Sequence, residues 1–205
     1  MKRYYFITIF TVASIAINYF CSYLAGLIAF PLYLDSIMTI AVTTLCGLVS
    51  GIACAVASNV LLFSFANTGL LFTMCHISTA VTAGLVFRAE RKKYARSRSF
   101  LYENSGNTKE TDFSYSTESF MWIGFIAAIT NSVLGDTISY FFYSANTTIP
   151  QVDNAVQGIY VVTKNLSFAA YFGGTVTNLI DKVFSATVSL FVYRAARKIS
   201  VKKNP

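Results

Sequence analysis

Charge is what this sequence lacks most. Of its 205 residues only 12% are Asp, Glu, Lys or Arg, against 55% hydrophobic and 16% aromatic residues, and the mean hydropathy is +0.55. A soluble domain needs a charged surface, so this composition excludes one and calls for a bilayer as the solvent of most of the chain. Proline is rare too, at three residues, which leaves long apolar stretches free to run as uninterrupted helices. The four cysteines, Cys21, Cys46, Cys54 and Cys75, fall at no metal-ligand spacing; neither a metal site nor a disulfide framework is expected, and they read as small packing residues. HExxH, Gly-x-Ser-x-Gly, P-loop, dinucleotide-binding and paired-carboxylate motifs are all missing. No enzymatic activity and no cofactor are expected, and any ATP-driven step would need another chain.

What is present is apolar sequence in lengths that fit a membrane. Windows of about 20 residues, matched to a hydrocarbon core of roughly 30 Å, give candidate spans near 5 to 28, 33 to 47, 49 to 66, 70 to 87, 119 to 145 and 166 to 193. Leu34 to Phe65 is one run that needs a turn near Cys46-Gly47-Leu48 to become two short helices. The first segment is too long for a signal-peptide core and lacks a small-residue cleavage site, so it is expected to stay as a helix. The expected architecture is an all-α integral membrane protein of six transmembrane helices in one bundle, a single domain over residues 1–205.

Basic residues orient that bundle. Lys2 and Arg3, then Arg88, Arg91, Lys92, Lys93, Arg96, Arg98 and Lys109, then Arg194, Arg197, Lys198, Lys202 and Lys203 all fall on one side of six spans, and the opposite loops hold only Lys164. Both termini are therefore expected in the cytoplasm. The net charge of +7 reads as this topology signal plus attraction to anionic lipid, not as nucleic-acid binding. Residues 88–118 form a polar, basic connector between helices 4 and 5, expected as partly disordered and cytoplasmic. The stretch "SANTTIPQVDNAVQGIYVVTKN" is long enough to fold over the outer surface as a lid.

A charge at mid-bilayer costs about 2.5 to 3.5 kcal/mol on insertion scales, so each intramembrane polar group needs a partner, a cavity or a function. Depth counting puts Asp35, Asn59, His76, Asp136 and Tyr140 toward the outer side, with Asn131 and Asn178 near the middle. Helical spacing aligns Ser132, Asp136, Tyr140 and Tyr143 on one face, and Tyr171, Gly174, Asn178, Asp181 or Lys182, Ser185 and Ser189 on another. The expected substrate-binding residues are Asp136, Tyr140, His76, Asn131, Asn178, Asp35 and Tyr171, with outer aromatics such as Tyr143, Tyr160 and Phe172 available for stacking. The competing reading for Asp35 is a helix cap, and for the asparagines interhelical hydrogen-bonding. Asn59, Gly47 and Gly51, on a small-residue stripe, and the pair Asp181 and Lys182 are expected in structural or coupling roles, with Lys182 below the pocket.

Two stretches, "FPLYLDSIMTIAVTTLCGLVSGIACAVASNVL" and "GGTVTNLIDKVFSATVSLFVYR", resemble the substrate-binding S components of energy-coupling factor (ECF) vitamin transporters. The shared features are an acid opening helix 2 with a threonine after it (Asp35, Thr39), a small-residue series ending in asparagine (Gly47, Gly51, Asn59), and polar groups in helix 6 (Asn178, Asp181, Lys182). The resemblance implies a six-helix protein of the plasma membrane that holds a vitamin or related micronutrient in an outward pocket, partnered by a transmembrane coupling subunit and two ATPases. Where members of that family often carry Ala-x-x-x-Ala on the first helix, this chain has Thr8, Val12 and Ala16. The alternatives are a membrane scaffold of the cell-shape type, a ligand sensor without its own output domain, and a proton-coupled carrier.

Overall fold

A computed structural model describes residues 2–27, 31–105 and 113–201; Lys109, Lys202 and Lys203 lie outside them. The described chain is built from helices: α1 (Lys2–Leu27), α2 (Ile37–Cys46), α3 (Leu48–Ala66), a 3-10 turn at Leu70–Phe72, α4 (Thr73–Ser105), α5 (Thr117–Phe142), α6 (Pro150–Thr163) and α7 (Leu166–Val201). Five of these, α1, α3, α4, α5 and α7, are long and apolar enough to cross a membrane. Large side chains such as Tyr4, Ile9, Val12, Val133, Val162 and Phe191 point outward, which suits a surface solvated by lipid. The chain is an all-α, multi-pass membrane protein.

Three elements differ from the sequence expectation. Within the segment expected as a span at 33 to 47, only Ile37–Cys46 is helical, ten residues or about 15 Å, and residues 31–36 precede it without helix. Hydropathy detects apolar length but not the point where a carboxylate and its partners hold the backbone open. The basic stretch from Arg88 to Ser105, expected as connector, continues α4 as helix. Its Ala, Arg, Lys and Glu residues are good helix formers, so nothing stops the helix at the end of its apolar part. In the outer loop, Pro150 sits at the first turn of α6, where its missing N–H costs nothing.

Packing is close where side chains are small. Gly47, with φ of 97°, makes the turn between α2 and α3, a backbone angle that L side chains rarely adopt. One turn into α3, Gly51 lies against the Thr43 side chain of α2, so close that a Cβ would overlap it. Gly124 of α5 meets the backbone of Val183 on α7 in the same way. On α1, the buried Asn18 donates to Thr39 Oγ1 (3.0 Å) and Ser58 Oγ (3.2 Å) and accepts from the Met38 amide (2.8 Å), joining three helices through one side chain. Such bonds hold helices together where lipid offers no hydrophobic drive for association.

The two ends of the bundle differ in character. Toward the end that carries Arg88 and Arg194, the core is apolar and filled: Ile40, Ala83, Phe87, Phe120, Ile123, Ala186, Leu190 and Tyr193. Toward the other end, buried residues are largely polar, among them Asp35, Asn59, His76, Asn131, Asn178 and Lys182. Gly51→Ala is expected to lower stability by about 1 to 3 kcal/mol through overpacking against Thr43. Adding Thr43→Ala should recover part of that loss, read as thermal melting of the detergent-solubilised protein by circular dichroism.

Candidate functional site

The polar end encloses a cavity of about 50 Å³, enough for a few water molecules or a small part of a ligand. Its wall is assembled from the same end of every long helix except the lid element: Ser22 of α1, Asn59 and Leu62 of α3, Cys75 and His76 of α4, Asn131 and Gly135 of α5, Asn178 and Lys182 of α7. Tyr33 and Asp35 enter from the non-helical segment before α2, and Thr147 and Ile149 close over from the loop between α5 and α6. The four-residue spacings Asn131/Gly135 and Asn178/Lys182 put each pair on one helix face, which is why both members of each reach the same space.

An ionic cluster forms its floor. Asp35 Oδ2 lies 3.0 Å from His76 Nε2 and Asp35 Oδ1 lies 3.3 Å from Lys182 Nζ. Lys182 Nζ also lies 2.7 Å from Asp181 Oδ2 and donates to Ser36 Oγ at 3.0 Å. The Asp181 Oδ2 contact is ionic in kind, without the alignment of a hydrogen bond. Asp181 Oδ1 accepts from two successive amides, Tyr33 (3.1 Å) and Leu34 (2.8 Å), and so holds the turn in which Leu34 has φ of 49°. A left-handed leucine is unfavourable by itself and persists only where surrounding bonds impose it. Lys182 and Asp181 are 3% and 0% exposed, so the pair is buried as charge compensated by charge.

Of the residues expected to bind substrate, the structure brings Asp35, His76, Asn131 and Asn178 together on the cavity wall. Asp136 is buried one residue around α5 from Gly135; its carboxylate rests against Gly174 and accepts from Thr175 Oγ1 at 3.4 Å, outside the lining. Tyr140 hydrogen-bonds Ser167 Oγ at 3.0 Å and packs 6.1 Å from Tyr171, on the side of α5 and α7 toward α6. Phe141 and Phe172 face outward, while Tyr143 stacks on Phe72 of the wall with ring centroids 5.4 Å apart. Asn59, expected in a structural role, both lines the cavity and accepts from Thr73 Oγ1 at 2.8 Å.

Two expectations are corrected. Asp35 does not cap α2: the N-cap position is Ser36, and both Asp35 oxygens face cations or cation-forming groups of α4 and α7. Lys182 is not below the pocket but part of its floor, because the helix of α2 begins only at Ile37 and the segment before it carries Asp35 down to the lysine. Sequence reasoning also passed over Tyr33, Ser36, Thr147 and Asn18. For Asn18 a signal exists, a lone amide in the middle of an apolar helix. For Thr147 none does, since a threonine in a polar loop has nothing to distinguish it.

The segment from the α5–α6 loop into α6 is held from outside the cavity. Asp153, in the first turn of α6, accepts from Thr147 N at 2.6 Å and Thr147 Oγ1 at 2.8 Å. Thr148 Oγ1 accepts from Gly69 N at 3.0 Å, and Gln151 Nε2 donates to the Gly26 carbonyl at 2.9 Å. The α5–α6 loop and the start of α6 are thereby tied to Gly69, between α3 and α4, and to the end of α1.

The fold and the site together define a class: a multi-pass helical membrane protein with a small cavity, walled by both polar and apolar side chains, at the end away from Arg88 and Arg194. Compared with known protein families, characterised proteins and solved structures, the chain finds no match, so its function is read from the site. Lys182→Met would leave Asp35 and Asp181 buried without their ammonium, a change that typically costs about 3 to 5 kcal/mol. A clear fall in the thermal midpoint in detergent, larger than for Asp136→Asn, is the expected result.

Proposed function

We propose that the protein is a membrane-embedded substrate-binding subunit of the plasma membrane, capturing a vitamin or related small organic micronutrient from outside the cell for ATP-driven uptake by an ECF-type transporter. The observation that carries this reading is the capped cavity, lined by side chains of which His76, Asn131 and Thr68 each bury one polar atom with no protein partner among the described residues. Unmatched groups of this kind in a packed bundle are costly unless something else meets them. A scaffold would have no use for such a space. The resemblance to ECF S components implies a transmembrane coupling subunit and two ATPases as the partners.

In this reading the protein crosses the membrane six times. The sixth crossing is the segment of residues 31–46: α2 rises about 15 Å, and six non-helical residues reach up to about 20 Å, which together match the hydrocarbon thickness. Both termini and the basic continuation of α4 then face the cytoplasm, and the cavity faces outward. The cavity is smaller than an ordinary ligand pocket of about 300 Å³ or more. Capture of a larger molecule therefore entails movement of the segment that closes over the cavity.

Two measurements test the proposal. Purified protein incubated with a vitamin panel should retain at least one member at micromolar concentration; folded protein that retains none would count decisively against it. Gly135→Ala should keep the fold, since the new methyl would meet Cys75 Sγ at 3.5 Å, an ordinary contact. It should weaken that binding about tenfold or more by occupying cavity space. For topology, a fluorescent reporter fused to the C-terminus is expected to fold and fluoresce, and a periplasm-dependent phosphatase fused at the same place to stay inactive.

A further inference from the structure

At the end of the bundle away from the cavity, a groove of about 600 Å³ separates the basic continuation of α4 from the start of α5. Paired contacts set the level of one helix against the other. Phe87 meets Phe120 with ring centroids 5.1 Å apart, Glu90 Oε1 accepts from the Ser116 amide at 2.9 Å, and Tyr94 meets Phe113 at 4.8 Å. The groove therefore has a bilayer end and a water end. At the bilayer end Trp122 and Ile126 line it, and both are exposed. Ile129 and Val133 continue outward on the same stripe of α5, which runs i, i+4, i+7, i+11. Trp122, whose Nε1 donates to Glu118 Oε1 at 3.3 Å, is the kind of amphipathic ring that sits at head-group level.

The water end is basic. Ala89, Lys93 and Ser97 follow one another at four-residue spacing, and the two small side chains leave a hollow about Lys93 that Lys92 and Arg96 flank. From Arg88 to Ser99, six exposed cations stand against one acid, Glu90. Lys92, Lys93 and Arg96 make no ion pair among the described residues. The wall's two carboxylates are engaged, Glu90 by the Ser116 amide and Glu118 by the Trp122 ring. Lys93 lies about 10 Å along α4 from Val86 of the same groove, so long side chains at this level reach back toward a head group beside Trp122. We infer that the groove binds an anionic phospholipid, its phosphate on Lys92, Lys93 and Arg96, its glycerol beside Trp122, and an acyl chain along Ile126, Ile129 and Val133. An acidic protein segment would meet the cations and leave the apolar half unmatched, whereas a phospholipid matches both halves. The site is independent of what the cavity captures.

Trp122 is the chain's one tryptophan, so its fluorescence reports on this groove alone. The full-length protein is reconstituted at low salt in phosphatidylcholine vesicles that carry rising fractions of a lipid with brominated acyl chains, either phosphatidylglycerol or phosphatidylcholine. Brominated phosphatidylglycerol is expected to half-quench Trp122 at a mole fraction about threefold or more below that of brominated phosphatidylcholine. Lys92→Gln, Lys93→Gln and Arg96→Gln together should abolish the preference while keeping the helical circular dichroism, since all three side chains are exposed. If that variant loses its helical spectrum, Lys93→Gln alone takes its place and should lower the preference. Glycerol phosphate in solution should leave the quenching unchanged; displacement by it would overturn the lipid assignment in favour of a free phosphate. A smaller preference in the unaltered chain would overturn the inference and leave the basic face to an acidic protein. A preference that survives the substitutions would also overturn it, by placing the anion on other basic residues such as Arg194.

Discussion

A lysine buried in the membrane half of a helical bundle has to be compensated in place, and the rest of this structure is organised around that need. Lys182 draws in Asp181 from its own helix and Asp35 from the segment before α2. Asp35 in turn brings His76 of α4, and Asp181 uses its second oxygen to hold the Tyr33 and Leu34 amides. One ammonium thus fixes where α2 begins, how far the preceding segment dips into the bundle, and which face of α4 turns inward. Desolvated charges are expensive, and their mutual attraction repays that expense only in good geometry, which explains why so many elements converge on this point.

The two ends of the bundle follow from the same constraint. Where polar side chains converge they cannot pack as densely as Phe87, Phe120 and Leu190 do at the basic end, because each hydrogen bond dictates a distance and direction that volume filling ignores. The cavity is the space left over, and its unmatched atoms, Asn131 Oδ1 and His76 Nδ1, belong to side chains whose other polar atoms are already committed. On the capture reading proposed above, affinity and stability are therefore drawn from the same few residues.

Much of this was legible in the sequence. Apolar length located the five long helices, the rarity of charge marked His76, Asp35, Asn131 and Asn178 as residues needing a reason, and helical spacing placed Asn178 on the interior seam. What the sequence could not show was rotation and long-range partnership. Asp136, with no basic neighbour within a helical turn, stood out as a pocket candidate, yet one residue of rotation along α5 turns it from the cavity to Gly174, and no spacing rule resolves a step that small without knowing where α7 sits. Lys182 looked too deep because counting along the last helix from Lys164 and Arg194 puts it in the inner half; only the contact with Asp35, 147 positions away, joins it to the cavity. The helical continuation of α4 was hidden for a different reason: its composition is as suited to a solvated helix as to an unstructured connector.

The clasp between Asp153 and Thr147 has a kinetic meaning separate from any affinity. Thr147 belongs to the wall, but the carboxylate that holds both its amide and its hydroxyl sits on α6, outside the lining. On the capture reading proposed above, how long the cavity keeps its contents then depends on a side chain outside its lining. In that reading residence time and selectivity fall mainly to different residues, one set at the mouth and the other on the floor.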